Sequence, residues 1–176
     1  MASIPAIPQS QDVTNDAFHG TSEALADEAV KNGFTLPPAN SDNRYGRGVY
    51  FWHGSRNQAV WWAKKRHPGG TIAVLRAKVA YGRHLNVISW EGQKIVESVA
   101  QRLAQRTPSP AITEAAVLNF MVGKGWIETA MVLDLPEQAV KQLFAGSYSV
   151  GGPRMILCVY SVEKILERSI VIKEAA

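Results

Sequence analysis

The stretch RYGRGVYFW, residues 44–52, sets two glycines around an arginine and ends in a Tyr-Phe-Trp run. A buried strand uses such aromatic residues, because they pack well on a pleated surface. It has no use for the glycines, which weaken a strand and mark a bend or the close approach of another group. GVYFW therefore reads as a strand that starts at a point of close approach. Alternation sends Tyr50 and Trp52 to one face and Phe51 to the other. Core packing accounts for Phe51. It accounts less well for Tyr50, whose hydroxyl needs a partner once buried.

On the N-terminal side, residues 1–15 hold two prolines and several small polar residues and read as a flexible arm. DAFHGTS gives a short extended segment. SEALADEAVKNGF follows as a helix, with Ser22 as N-cap, Gly33 as the residue past its end, and Ala24, Leu25, Ala29 and Val30 at helical spacing. TLPPANSDNRYGRG is a polar loop. After the aromatic strand, SRNQAVWWAKKRH reads as a second helix, capped by Ser55 and stopped by Pro68-Gly69-Gly70. TIAVLRAKVA alternates with period two and reads as a central strand, and RHLNVI as a short one. Helices are expected over residues 91–106, 112–122 and 136–145, and strands at RMILCVYSV and SIVIK, joined by EKILER. The order of elements predicts a single compact α+β domain over residues 16–176 with much antiparallel sheet, residues 90–150 reading as a helical insertion.

At 176 residues the chain is long enough for one sizeable core. Its 46% hydrophobic and 19% charged content excludes wholesale disorder. A net charge of +4 and a pI near 9.3 suit phosphate-bearing partners without requiring them. The single cysteine, Cys158, forms no internal disulfide and sits in the apolar run MILCVY, where it reads as a small buried hydrophobe. No basic and apolar leader opens the chain, and no segment reaches the ~18 apolar residues of a membrane span. A cytoplasmic protein without a membrane partner is the expectation.

Three segments combine chemistry with close approach. In FHGTS, His19 precedes Gly20 at a strand end, where Gly lets a ligand approach the backbone; taken alone, the segment reads first as a surface histidine beside a turn. GRGVYFW contributes Tyr50. QAVWWAKK places Trp61 and Trp62 on adjacent helix faces, so only one can lie fully in the core stripe. No metal-ligand spacing, phosphate loop or dinucleotide glycine fingerprint is present, and no metal site is expected.

In that order, FHGTS, GRGVYF and SRNQAVWWA resemble the PARP-like, diphtheria-toxin-type branch of the ADP-ribosyltransferases. Ala59 and Trp61 follow Tyr50 by nine and eleven residues, as in that family. The resemblance covers residues 18–63 and, more loosely, 155–172. It implies an ADP-ribosyltransferase fold, with two packed, mostly antiparallel sheets and flanking helices, and NAD as co-substrate. His19 would bond a ribose hydroxyl, Gly20 would hold the carboxamide through its backbone, and Tyr50 and Trp61 would sandwich the nicotinamide ring. Thr21, Phe51 and Ala59 fall among the residues that line the cofactor site. Arg44 and Arg47 stand where a pyrophosphate could be met, and read equally as solvated loop arginines.

One departure matters. Polymer-forming members of the family carry a glutamate on the third signature strand, and MILCVYSVEKI puts Ile156 at that position. Isoleucine neither accepts a proton nor orients a hydroxyl, and Glu128 and Glu163, the nearest acids, read as surface residues. The catalytic set becomes His19, Tyr50 and Ile156. The implied activity is mono-ADP-ribosylation of a macromolecular acceptor, a protein in preference to a nucleic acid, with release of nicotinamide. Two alternatives stand beside it: an RNA 2′-phosphotransferase-like enzyme, and an inactive module that binds NAD or ADP-ribose.

Overall fold

The computed structural model describes residues 6–39, 43–106, 112–134 and 154–176. Six strands and four helices occupy them: β1 (Gln9–Ser22), α1 (Glu23–Asn32), β2 (Val49–His53), α2 (Arg56–Arg66), β3 (Thr71–Asn86), α3 (Trp90–Arg106), α4 (Glu114–Gly123), β4 (Thr129–Asp134), β5 (Arg154–Val159) and β6 (Ile165–Ala175). The helix expected over residues 136–145 lies outside the described residues. No helix among those described is long and apolar enough to cross a membrane.

Both capped helices form where their signals stand. Ser22 Oγ accepts the Leu25 N–H, Ser55 Oγ accepts the Gln58 N–H, and Gly33 closes α1 at φ 93°. The buried face of α1 differs from the expected one. Ala26 and Ala29 lie against Ala73 and Leu75 of β3, while Leu25 and Val30 stay exposed. Small side chains let the helix sit close to the strand, and the larger ones are turned outward.

The strands connect as one mixed sheet in the order β1-β2-β5-β4-β3-β6, and β1 also pairs with β3. Five strands therefore close into a circuit, with β6 on β3. Among the described residues pairing runs through all six strands, which gives one mixed sheet where the resemblance implied two packed ones. All pairs are antiparallel except β3 with β4, which meet only at His84–Thr129, Leu85–Ala130 and Asn86–Met131. The circuit has a filled interior: Ala17, Phe51, Val79, Met131 and Leu157 meet there. The outer face of β2, β5 and β4 carries Trp52, Ile156, Cys158 and Val132 and is covered by Val99 of α3 and Val117, Leu118 and Met121 of α4.

β3 is one continuous strand where two were expected. Gly82, at φ 62°, lets the chain continue past the point where Glu128 Oε2 comes within 2.5 Å of the place a Cβ would occupy. β1 likewise starts at Gln9, inside the predicted arm. Residues 9–14 are recruited by the length of β3, with Val13 opposite Ala80 and Thr14 opposite Val79.

Candidate functional site

The circuit is weakest between β1 and β2. These strands share two register pairs, Ala17–His53 and Phe18–Trp52. Beyond Phe18 they diverge, β1 continuing along β3 and β2 along β5. His19 bridges the split: its Nδ1–H donates to the Tyr50 carbonyl at 2.8 Å. A carbonyl only accepts, so Nδ1 carries the proton and Nε2 keeps its lone pair when the ring is neutral. Burial lowers the His19 pKa below the usual histidine value, opposed by the bond to Tyr50 and helped by the charge of His67. The ring is neutral near pH 7 and offers one acceptor.

Register fixes which groups share a face. Phe18 lies opposite Trp52, so His19 shares the face of Phe51; the two rings meet edge-on at 5.7 Å, with Phe34 at 5.2 Å from His19. The Tyr50 ring points to the other face, with Trp52 and Ile156. His19 and Tyr50 are thus joined through a backbone carbonyl, on opposite sides of the sheet.

The glycines have protein neighbours. A Cβ on Gly20 would fall 1.9 Å from the Ala59 carbonyl oxygen, so the first turn of α2 lies directly on β1 there. Gly46 takes φ 87°, a left-handed turn that L side chains rarely adopt, and Gly48 leaves room for Tyr160, whose Cδ1 would stand 3.0 Å from a Cβ. The Tyr50 hydroxyl finds the partner its burial requires: it donates to Gly46 O at 2.5 Å and accepts the Tyr45 N–H at 3.0 Å. Burial pushes its pKa up, and that of Cys158 as well, which keeps the Cys158 thiol protonated.

Other predicted site residues fall as follows. Phe51 and Ala59 are fully buried, and Thr21 is buried opposite Ala73. Arg44 pairs with Asp134 at 3.0 Å. Arg47 donates Nε–H to Pro37 O at 2.7 Å and its backbone N–H to Asn119 Oδ1 at 2.7 Å, which ties it to two neighbouring segments. Ile156 is buried between Trp52 of β2 and Val132 of β4. Glu128 accepts the Arg83 N–H at 2.8 Å and pairs with Lys164 at 3.2 Å, a structural assignment for that acid. Glu163 is exposed.

Trp61 is 42% exposed, and Arg154 of β5 stands over its ring, with Cζ 4.4 Å from the centroid and 5.9 Å from that of Trp52. The Arg154 Nε is buried and has no hydrogen-bond partner among the described residues. Neither Arg154 nor Phe34 was singled out from sequence, because nothing in the chain order ties them to His19 or Trp61. No group of three or more His, Cys, Asp or Glu side chains able to hold a metal occurs among the described residues.

No family model, curated protein or solved structure matches the chain. The geometry stands on its own.

Proposed function

We propose that the protein is an NAD-dependent mono-ADP-ribosyltransferase of PARP-like fold. The observation that carries this reading is the His19–Tyr50 bond across the split between β1 and β2. It joins the first two of the three motifs that resemble the family, and it leaves Nε2 of His19 as an acceptor suited to a ribose hydroxyl. The Gly20 contact with Ala59 adds the third, since α2 carries Trp61. A dinucleotide that uses both His19 and the Tyr50 ring must lie across the split, because the two side chains occupy opposite faces.

In this reading the C1′–nitrogen bond of the nicotinamide ribose breaks through an oxocarbenium-like state, and an acceptor nucleophile captures C1′. The chain contributes orientation: His19 holds the ribose, the Gly20 backbone the carboxamide, and the aromatic rings the departing base. Nothing at position 156 activates the acceptor, which favours single-unit transfer over chain growth.

The burial of Ile156 supports a second reading, a module that binds NAD or ADP-ribose without turnover. Incubation with adenylate-labelled NAD separates the two. Label on an acceptor protein with free nicotinamide supports transfer, whereas binding without nicotinamide release supports the module. In either case His19→Ala, with its fold verified by circular dichroism, weakens NAD binding about tenfold, the size of one hydrogen bond. A chain that binds no NAD refutes both.

A further inference from the structure

A cavity of about 510 Å³ opens at the other end of β1, away from the split. It is lined by the buried Met131 of β4, the exposed Met155 of β5, Tyr81 and His84 of β3, and Asp12 of β1. The volume falls within the roughly 300–1,000 Å³ of small-molecule sites. We propose that this cavity is a second binding site, for a planar cation such as a guanidinium or amidinium carried on an apolar stem. The proposal goes beyond the NAD reading and does not depend on it.

Three features select that chemistry. First, the wall is aromatic: the Tyr81 and His84 rings stack on each other at 4.4 Å with an interplanar angle of 18°, and a planar cation can extend that stack over an outer ring face. A planar cation gains from lying on such a face. Second, two of the lining side chains, His84 and Asp12, offer acceptors. Thr129 gives its single hydroxyl proton to Tyr81 O at 2.6 Å, so it must accept from His84 Nδ1–H at 2.8 Å. That fixes the tautomer and leaves His84 Nε2 as an acceptor. Asp12 receives the Ser10 hydroxyl at 2.9 Å, and among the described residues no salt bridge neutralises it. Third, no lysine or arginine lines the cavity, so an anion would meet Asp12 uncompensated.

The methionines suit the stem, since unbranched thioethers adapt to irregular apolar shapes. His84 does not oppose a cation. Burial, reinforced by the charge of His53 and opposed by that of Asp12, lowers its pKa to about 4, so the ring is neutral near pH 7. A bare metal ion fits less well, because the described residues hold no three-ligand cluster.

The test titrates phenylguanidine into the full chain, following binding by calorimetry and the imidazole resonances by NMR. Phenylurea, planar and neutral, is the comparison. The expected result is a shift of the His84 resonances with those of His19 unmoved, and binding at least about tenfold tighter than phenylurea. Asp12→Asn, at an exposed position, should weaken phenylguanidine about tenfold, and Met155→Ala should weaken it with no change in the preference for the cation. The proposal is overturned if phenylguanidine does not bind, if it binds while His84 stays unmoved, if phenylurea binds as well, or if Asp12→Asn binds with wild-type affinity.

Discussion

The hydroxyl of Tyr50 uses both its hydrogen-bonding directions inside the protein, toward Gly46 O and from Tyr45 N–H. Removing it leaves the Tyr45 N–H without that partner, while Gly46 O keeps only the Gly48 N–H at 3.0 Å. Tyr50→Phe should therefore cost about 1–3 kcal/mol of stability, the penalty for unpaired buried polar groups, read as a lower urea midpoint with unchanged slope. If the ring is a wall for nicotinamide, the same variant retains most of its NAD affinity, because the face survives. Arg154 makes the opposite case. Its guanidinium lies on the Trp61 ring that nicotinamide would need, and a cation–π contact of this kind is worth roughly 0.5–2 kcal/mol. Arg154→Ala clears that face, so nicotinamide should bind about two- to tenfold more tightly by calorimetry. An unchanged affinity would place the base away from Trp61.

Among the elements, the contact of α2 with β1 tolerates least. Gly20→Ala sets a methyl group 1.9 Å from the Ala59 carbonyl, and backbone on both sides must move. A loss of about 3 kcal/mol or more is expected, at the upper end of what overpacking costs, or failure to fold. Gly123→Ala is the control: it ends α4, has nothing within 4 Å of a new Cβ, and should be neutral or slightly stabilising. Thermal melts of the two variants decide the point. This element pair also shows how far the sequence was legible. The serine caps of α1 and α2 were readable because capping is local chemistry. Gly20 and Gly48 were readable as points of close approach, but not what approaches, since Ala59 and Tyr160 arrive from distant parts of the chain. β4 escaped notice for a related reason. Its first four residues are all buried, so TAMVLD shows no alternation, and its parallel pairing with β3 is a property of topology. In the candidate site, His19, Tyr50 and Trp61 were named from the resemblance of their motifs, while Arg154 emerged only once β5 lay beside β2.

Across the whole molecule, the half-buried histidines His19 and His84 make stability depend on pH in one direction. His84 is held neutral in the folded protein with a pKa near 4, while an unfolded chain would protonate it below its ordinary value of 6.5. Between those values the unfolded state binds more protons, so stability is fully present above pH 6.5 and falls as pH drops toward 4. From pH 7 to pH 5 this one group should remove about 2 kcal/mol, at about 1.4 kcal/mol per unit of separation between the two titrations. His19, also lowered by burial, adds to the loss in the same direction. Urea unfolding at pH 7 and pH 5 measures the total, and His84→Asn isolates the share of His84. The asparagine amide can replace Nδ1–H as the donor to Thr129 Oγ1 but does not titrate. The variant should therefore keep most of the wild-type stability at pH 7, apart from the packing lost with the ring against Tyr81, and show a pH dependence smaller by about 2 kcal/mol. A variant that loses stability on acidification as steeply as the wild type would mean that His84 is not held neutral by the fold, and that the acid sensitivity arises at His19 and the carboxylates instead.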